Sequence, residues 1–421
     1  MISLKFVKPK KKSLAPQNQS VDVKQKIAQL SDIDLLKTAD AYFARFTTDS
    51  IQYKKPFSDP AQSPQLAMHL GTMLQAADLF RGAKVLDFGC STGWLTLGLA
   101  QMGCDAIGID VAPSALRLAE RLKATRRVKS DGTMDFHCYD GFRLPLSDES
   151  IDRIVCFEAF HHVRDQAATL KEFARVLKQG GRIAFMEPGP EHSQTIESQT
   201  EMNRYKVIEN NVSLFKIAEI AVQVGLRPPE VLIQFQQPQQ LSFAEFEEWS
   251  NKGISVKRAH GLLKSLVNQV TDSQCFYLQK GEGQKDSRQL TSLGGELFLN
   301  SLVSETIADS PGLRFNITLR NTGSGKWLTE QAQAGQVKLG VQLLTSDESV
   351  VNLNYARFNL NEPPVEIGQE FIISGVLRLP AKNAYMLRFD LVSEHVAWFA
   401  QHGKSVPLTL TSQELHEKLL L

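Results

Sequence analysis

The chain has 421 residues, 47 Lys and Arg against 46 Asp and Glu, and 42% apolar residues. At about 100–200 residues per domain, this length predicts two or three globular units. A formal net charge of +1 gives no global field to hold a polyanion, which argues against a nucleic-acid partner, and no run of about 18 apolar residues offers a membrane span.

Residues 1–24 open with MISLKFVKPKKKSLAPQNQS, a basic stretch in which Lys8, Lys10, Lys11 and Lys12 cluster. It lacks the apolar core and small-residue cleavage site of a secretory signal, so a flexible, solvated tail on a cytoplasmic protein is expected. Across 25–82, apolar side chains recur every three or four residues in VKQKIAQL and PQLAMHLGTMLQAADLF, which predicts a helical cap. Three prolines between Tyr53 and Pro64 forbid a continuous helix there. That stretch is a lid candidate.

Over 83–281, short apolar runs alternate with amphipathic helices, in the order KVLDFG, a helix from Trp94, DAIGID, PSALRLAERLKA, MDFHCYD, DRIVCFEA, QAATLKEFARVLK and GRIAFMEP. This is the βαβ signature of a mostly parallel, doubly wound α/β sheet. A helix SLFKIAEIAVQVG, a strand PEVLIQFQ, a helical insertion at about 240–272 and a strand QCFYLQKG follow. The two late strands are expected to close the sheet as an antiparallel edge pair.

Residues 282–292 are polar and read as a linker. From 293 to 421, LRFNITLRN, QVKLGVQLL, EFIISGVLRL and AYMLRFDLV are separated by Gly, Pro and Asn clusters, the pattern of an all-β sandwich, with Ser412 placed to cap a short C-terminal helix. Trp327 and Trp398 are expected in the core; exposed, they would instead stack on sugar rings. The five cysteines (Cys90, Cys104, Cys138, Cys156 and Cys275) are odd in number and lack CxxC spacing. Neither a disulfide framework nor a metal site is indicated.

The segment that carries chemistry is V85-L-D-F-G-C-S-T-G-W94, a buried strand entering a small-residue loop that opens a helix. Gly89 and Gly93 allow close backbone approach, and the helix start offers N–H donors to an anionic group. The lysine of a P-loop is absent. Asp110, ending the next strand about 20 residues on, suits the two hydroxyls of a ribose. Asp140 and Gly141 end the third strand, where a carboxylate accepts from an adenine amine, with Phe142 and Leu144 flanking the base.

Together, LDFGCSTGW, GIDVAPSAL, FHCYDGFRLPLSDESIDRIVCFEAFHHVRD and LKEFARVLKQGGRIAFMEPGP resemble the motifs of class I S-adenosylmethionine-dependent methyltransferases, in order and spacing, over roughly residues 25–281. The resemblance implies a Rossmann-like fold with S-adenosyl-L-methionine as cofactor. Asp87, Gly89, Cys90, Ser91 and Gly93 would surround the methionine moiety, Asp110 and Val111 the ribose, and Asp140 and Gly141 the adenine, with Phe157 and Glu158 near the sulfonium. Ser91 replaces the usual middle glycine and is expected at negative φ. A nicotinamide dehydrogenase shares the loop and the acid, but DFGCSTG departs from G-x-G-x-x-G.

A base must sit at a strand's carboxyl end. Glu158, His161 and His162 follow the fourth strand, and Glu187 and His192 the fifth. Each can accept a hydroxyl proton, while Glu187 can equally cap the following segment. EPGPEHSQTIESQTEMNRYKVIEN and YKKPF are similar to methyltransferases of bacterial surface-polysaccharide synthesis, and residues 293–410 resemble the Ig-like sandwich appended to such enzymes. A saccharide or glycan acceptor is therefore expected, with the sandwich contacting glycan or protein. A lipid, quinone or other small-molecule acceptor stays open, as does a binding protein without turnover.

Overall fold

A computed structural model describes residues 20–126, 132–233, 240–283, 285–308, 310–330, 334–361, 363–380 and 384–419. Most of the basic tail and the end of PEVLIQFQ lie outside them. Two compact units are present, residues 1–79 with 83–283 and residues 80–82 with 284–421.

The first unit opens with α1 (Val23–Gln29), α2 (Asp32–Phe43), α3 (Ile51–Lys54) and α4 (Ser63–Ala77). Asp22 caps α1, and Ser31 with Asp34 closes a capping box on α2. The proline-rich break therefore begins inside the short α3. Next come β1 (Lys84–Phe88), α5 (Trp94–Gln101), β2 (Asp105–Asp110), α6 (Pro113–Thr125), β3 (Thr133–Cys138), β4 (Ile151–Phe157), α7 (Gln166–Val176) and β5 (Leu177–Pro188). The unit ends with α8 (Ile196–Tyr205), α9 (Leu214–Gln223), β6 (Glu230–Leu232), α10 (Phe243–Lys252), α11 (Val256–Asp272) and β7 (Ser273–Gln279).

These strands form one seven-stranded sheet in the order β3-β2-β1-β4-β5-β7-β6. Strands β1 to β5 pair in parallel, while β7 runs antiparallel to both β5 and β6. The expected edge pair thus has only one reversed strand, because β7 slots between β5 and β6 and leaves β6 pointing with the parallel set. Leu86, Ile154, Ile183 and Phe276 are fully buried, and Phe185 stacks on Phe276 at 4.6 Å. Strand order reverses between β1 and β4, so their carboxyl ends lead to connections on opposite sides and leave a crevice.

The second unit contains β8 (Gly295–Ile307), β9 (Ser310–Asn321), β10 (Val337–Leu344), β11 (Val350–Asn359), β12 (Glu370–Arg378), β13 (Met386–Ser393), β14 (Ala397–Trp398), β15 (Leu408–Thr411) and α12 (Ser412–Leu419). One antiparallel sheet is β12-β9-β8; the other is β11-β10-β13, with β14 and β15 paired to β13. Their inner faces share one core, where Phe315 of β9 meets Phe358 and Phe389 at 4.8 and 5.4 Å.

Two sequence expectations change here and a third holds. The supposed linker folds into the second unit: Asp286, Ser287, Gln289 and Ser292 are buried, and Ser287 Oγ donates to the Gly335 carbonyl and accepts from Leu328 N–H. Polar side chains that look solvated in the sequence are spent on internal bonds. The cap of α12 is Thr411, whose Oγ1 accepts from Glu414 N–H while Glu414 accepts from Thr411 N–H. Trp327 and Trp398 are buried, Trp398 beneath Arg357 at 4.2 Å, so neither offers a face to a sugar.

Because Gly375 leaves just enough room for the Phe315 ring, which a Cβ there would meet at 2.4 Å, the inter-sheet core has little slack. Phe315→Ala should destabilise the sandwich by about 3–5 kcal/mol in urea unfolding; a loss below about 1 kcal/mol would contradict this packing.

Candidate active site

A cavity of about 1090 Å³ lies at the carboxyl ends of the strands, at the upper end of the roughly 300–1,000 Å³ usual for small-molecule sites. Its lining includes Gly89, Ser91, Asp110, Val111, Asp140, Gly141, Phe157, Glu158, His161, His162 and Glu187. Residues scattered over about 100 positions of the sequence converge because each follows a parallel strand of the same sheet.

The loop after β1 is shaped by three residues in the left-handed region, Gly89 at φ +70°, Ser91 at +53° and Gly93 at +80°. A Cβ on Gly89 would lie 2.5 Å from that of Ala159, and one on Gly93 2.6 Å from the Phe136 ring. The expectation of negative φ at Ser91 is therefore overturned. Its strain is held by a hydrogen bond from Ser91 N–H to Asp110 Oδ2 at 2.9 Å. Asp110 Oδ1 accepts from Ala112 N–H, also at 2.9 Å. Each oxygen keeps a lone pair, so two hydroxyls can still be bound.

Asp87, Cys90 and Gly93 are not among the lining residues. Asp87 is buried and accepts from Thr96 Oγ1 at 2.6 Å, which ties β1 to α5 behind the loop. Burial pushes its carboxyl up to about 7, against the opposing hydrogen bond. Burial likewise raises Asp110. Asp140 accepts from the N–H groups of Phe142 and Arg143 and sets the turn beyond β3. Phe142 lines the cavity, whereas Leu144 is buried in the main core and cannot flank a base there.

Glu187, at the end of β5, is buried and accepts from the N–H groups of Ala159, Phe160 and His161. Its Oε2 lies 2.8 Å from His161 Nδ1. The capping and orienting roles thus belong to one carboxylate. Burial raises it to about 7, opposed by its three backbone bonds. Burial first, then the neighbouring His162, holds the buried His161 well below the ordinary imidazole range. His161 is consequently neutral near pH 7, with its proton on Nδ1 and its Nε2 lone pair free.

Sequence reasoning missed Glu209, which lies on the loop between α8 and α9 and bonds His192 Nε2 at 2.7 Å. Its Oε2 is 3.8 Å from His161 Nε2, and its Oε1 is 3.6 Å from His162 Nδ1. Burial pushes Glu209 up, but the His192 bond and the neighbouring His162 outweigh it and leave the group below its ordinary value. No spacing within VIENN announces this role. Glu158 instead faces Lys55 at 3.9 Å and is about half exposed.

The cap closes over the same cavity. Leu35, Leu36, Tyr42 and Phe43 of α2 contribute to the lining, as do Gln52 of α3 and Lys55 from the lid candidate. Asp40 accepts from Ser114 N–H at 2.6 Å, Asp32 pairs with Arg164, and Thr92 Oγ1 donates to the Gln52 carbonyl at 2.8 Å. These bonds tie the cap to the loops that follow β1, β2 and β4.

Comparison with known proteins agrees with this geometry. Residues 86–185 match the family model described as a methyltransferase domain. The chain is 32% identical over 162 residues to methyltransferase GfsG of Streptomyces halstedii, covering 37% of this chain and 56% of that protein. It is 36% identical over 121 residues to the ubiquinone biosynthesis O-methyltransferase of Idiomarina loihiensis, covering 28% of this chain and 47% of that enzyme. The chain thus spans about half the length of these relatives. Among solved structures, the YcgJ protein of Bacillus subtilis aligns with a TM-score of 0.35 and 21% identity over 52% of this chain and all of its own. The matched segment runs from β1 to β5 and contains the glycine loop, both acidic strand ends and the His161–His162 turn. The likeness to methyltransferases is thus carried by residues 86–185.

Proposed function

We propose that this protein is an S-adenosylmethionine-dependent methyltransferase acting on a hydroxyl of a saccharide or glycan precursor. The observation that carries the reading is one cavity bounded by the Gly89–Gly93 loop with Asp110 and by the Glu187–His161–Glu209–His192 network. The donor set fits the cofactor. Asp110 retains acceptor capacity for ribose hydroxyls, Asp140 and Gly141 lie beyond β3 for the adenine, and the strained loop exposes backbone to the methionine portion.

Bound S-adenosylmethionine supplies an electrophilic methyl group on a sulfonium. The protein's own task is to align an acceptor oxygen with it and to manage the hydroxyl proton. Phe157 and Glu158 bound the region nearest the transfer, and the unprotonated Nε2 of His161 provides acceptor capacity beside it. Glu187 is a positioning residue, because it fixes the His161 tautomer and the turn carrying both histidines.

Support for a saccharide comes from the remaining lining, in which Glu197, Glu201, Glu209 and His192 offer hydrogen-bond partners near the aromatic rings of Tyr42 and Phe43. Carboxylates at this density repel anionic acceptors. The second reading, a quinone or other apolar small molecule, is favoured by Leu35, Leu36 and Val207 in the same lining and by the ubiquinone enzymes among the relatives. For the second unit we infer an Ig-like sandwich. Its sheets, β8-β9-β12 and β11-β10-β13-β15, follow the A-B-E and C′-C-F-G order of such domains. With both tryptophans internal, a glycan or protein contact would use the outer strands.

Asp110→Ala should weaken S-adenosylmethionine binding about 10- to 100-fold in calorimetric titration, as the loss of charged hydrogen bonds predicts; unchanged affinity would remove Asp110 from the ribose site. Glu187→Gln should leave that affinity within about twofold while lowering turnover, read as S-adenosylhomocysteine release with a panel of glycosides and quinols. Cofactor binding without product on any acceptor would point to a sensor, and methylation of quinols alone would replace the saccharide reading.

A further inference from the structure

We propose that His161, His162 and Glu209 form a binding site for a divalent transition-metal cation on the acceptor side of the cavity. One ring nitrogen of each histidine and one oxygen of Glu209 lie within 4.8 Å of one another. Ligand atoms about 2.0–2.2 Å from an ion stand roughly 3–4.4 Å apart, so small side-chain movements complete the set.

The supporting groups around the three residues make the case stronger than proximity does. A metal-binding imidazole characteristically gives its other N–H to a carboxylate or carbonyl, which fixes tautomer and ring plane. His161 Nδ1 meets the Glu187 carboxylate at 2.8 Å, and His162 Nδ1 donates to the Ile208 carbonyl at 2.6 Å. His161 thereby turns Nε2 toward Glu209 Oε2 at 3.8 Å, and His162 Nδ1 lies 3.6 Å from Glu209 Oε1, so ligation by His162 exchanges its Ile208 bond for the ion. Glu209 is held in turn by His192 Nε2 at 2.7 Å. His161 and Glu209 therefore each have their own outer partner, and the three residues come from two separate loops.

Two imidazoles and one carboxylate, with further positions open to the cavity, suit zinc or another first-row cation rather than calcium or magnesium, which prefer oxygen ligands. All three residues line the cavity, so a cation there can contact an acceptor. The spacing of the sequence gives no hint of it, since Glu209 arrives from a loop beyond α8.

The catalytic consequence rests on the methyltransferase reading; the site itself does not. Lewis-acid polarisation of an acceptor hydroxyl favours breaking its O–H bond, with the proton released to solvent. As the new O–CH₃ bond forms, the electron pair of the S–CH₃ bond returns to sulfur.

Chelator-stripped full-length protein should bind Co²⁺ and Zn²⁺ at one equivalent in calorimetry, and Co²⁺ should develop visible absorption bands from nitrogen and oxygen ligation. Glu209→Gln and His162→Ala should each weaken binding more than Glu187→Gln, for which about 10- to 100-fold is expected. His260→Ala, an exposed histidine on α11, should bind as the parent does, and circular dichroism identifies any variant that fails to fold. No binding by the parent protein, or equal binding by folded Glu209→Gln, overturns the site. Metal binding without S-adenosylmethionine binding would sink the methyltransferase reading and leave the metal site standing. Full methyl transfer by verified metal-free protein would refute the cation's catalytic part.

Discussion

The Glu187 carboxylate is the constraint on which the histidine wall of the cavity depends. A buried carboxylate is tolerated only when hydrogen bonds replace its lost hydration, and here they come from three consecutive backbone N–H groups and one imidazole. Those donors belong to the turn after β4, whereas Glu187 ends β5. One side chain therefore staples two strand ends together and sets the direction of His161. Any residue unable to accept four bonds would release the turn, and with it the alignment of His161 and His162 with Glu209.

The glycine-loop wall uses a different device. Positive φ at Ser91 costs of order 1–3 kcal/mol for a residue with a side chain, yet the loop adopts it. The compensation is local: Ser91 N–H reaches Asp110, and Asp110 in turn fixes Ala112 N–H at the start of α6. Loop, strand end and helix are thereby held by one carboxylate, much as Glu187 holds the other wall. Asp87 is the third member of this set, out of contact with the cavity but tying β1 to α5 through Thr96.

What was legible in the sequence follows from range. The βαβ alternation, the glycine loop, Asp110 and the His161–His162 pair are local signals, each written within a dozen residues, and all stand in the structure where the chain order puts them. The sign of φ at Ser91 was illegible because it is decided by a carboxylate 19 residues away. Glu209 was missed because its meaning comes from three histidines on other segments. The 282–292 stretch looked like a linker because hydrophilic composition does not reveal whether partners are water or protein, and Ser287 finds two of them more than 40 residues away. Trp327 and Trp398 were ambiguous for the same reason, since only the pairing of sheets decides which face of a strand is inside.

Taken together, the buried acids say something that no one of them does. Burial raises Asp87, Asp110 and Glu187 above the usual carboxylate range, so the ionised form of each is less favoured than in water. A positive charge beside such a group favours its ionised form. A sulfonium is such a charge, and it would lie near the loop that Asp87 and Asp110 support. Glu209 marks the contrast: already held ionised by its histidines despite burial, it offers a ready negative ligand rather than a latent one. Raised carboxyls thus stand on both walls, Asp110 at the glycine loop with Asp87 behind it and Glu187 beneath His161, and the preformed carboxylate–imidazole cluster lies beside Glu187.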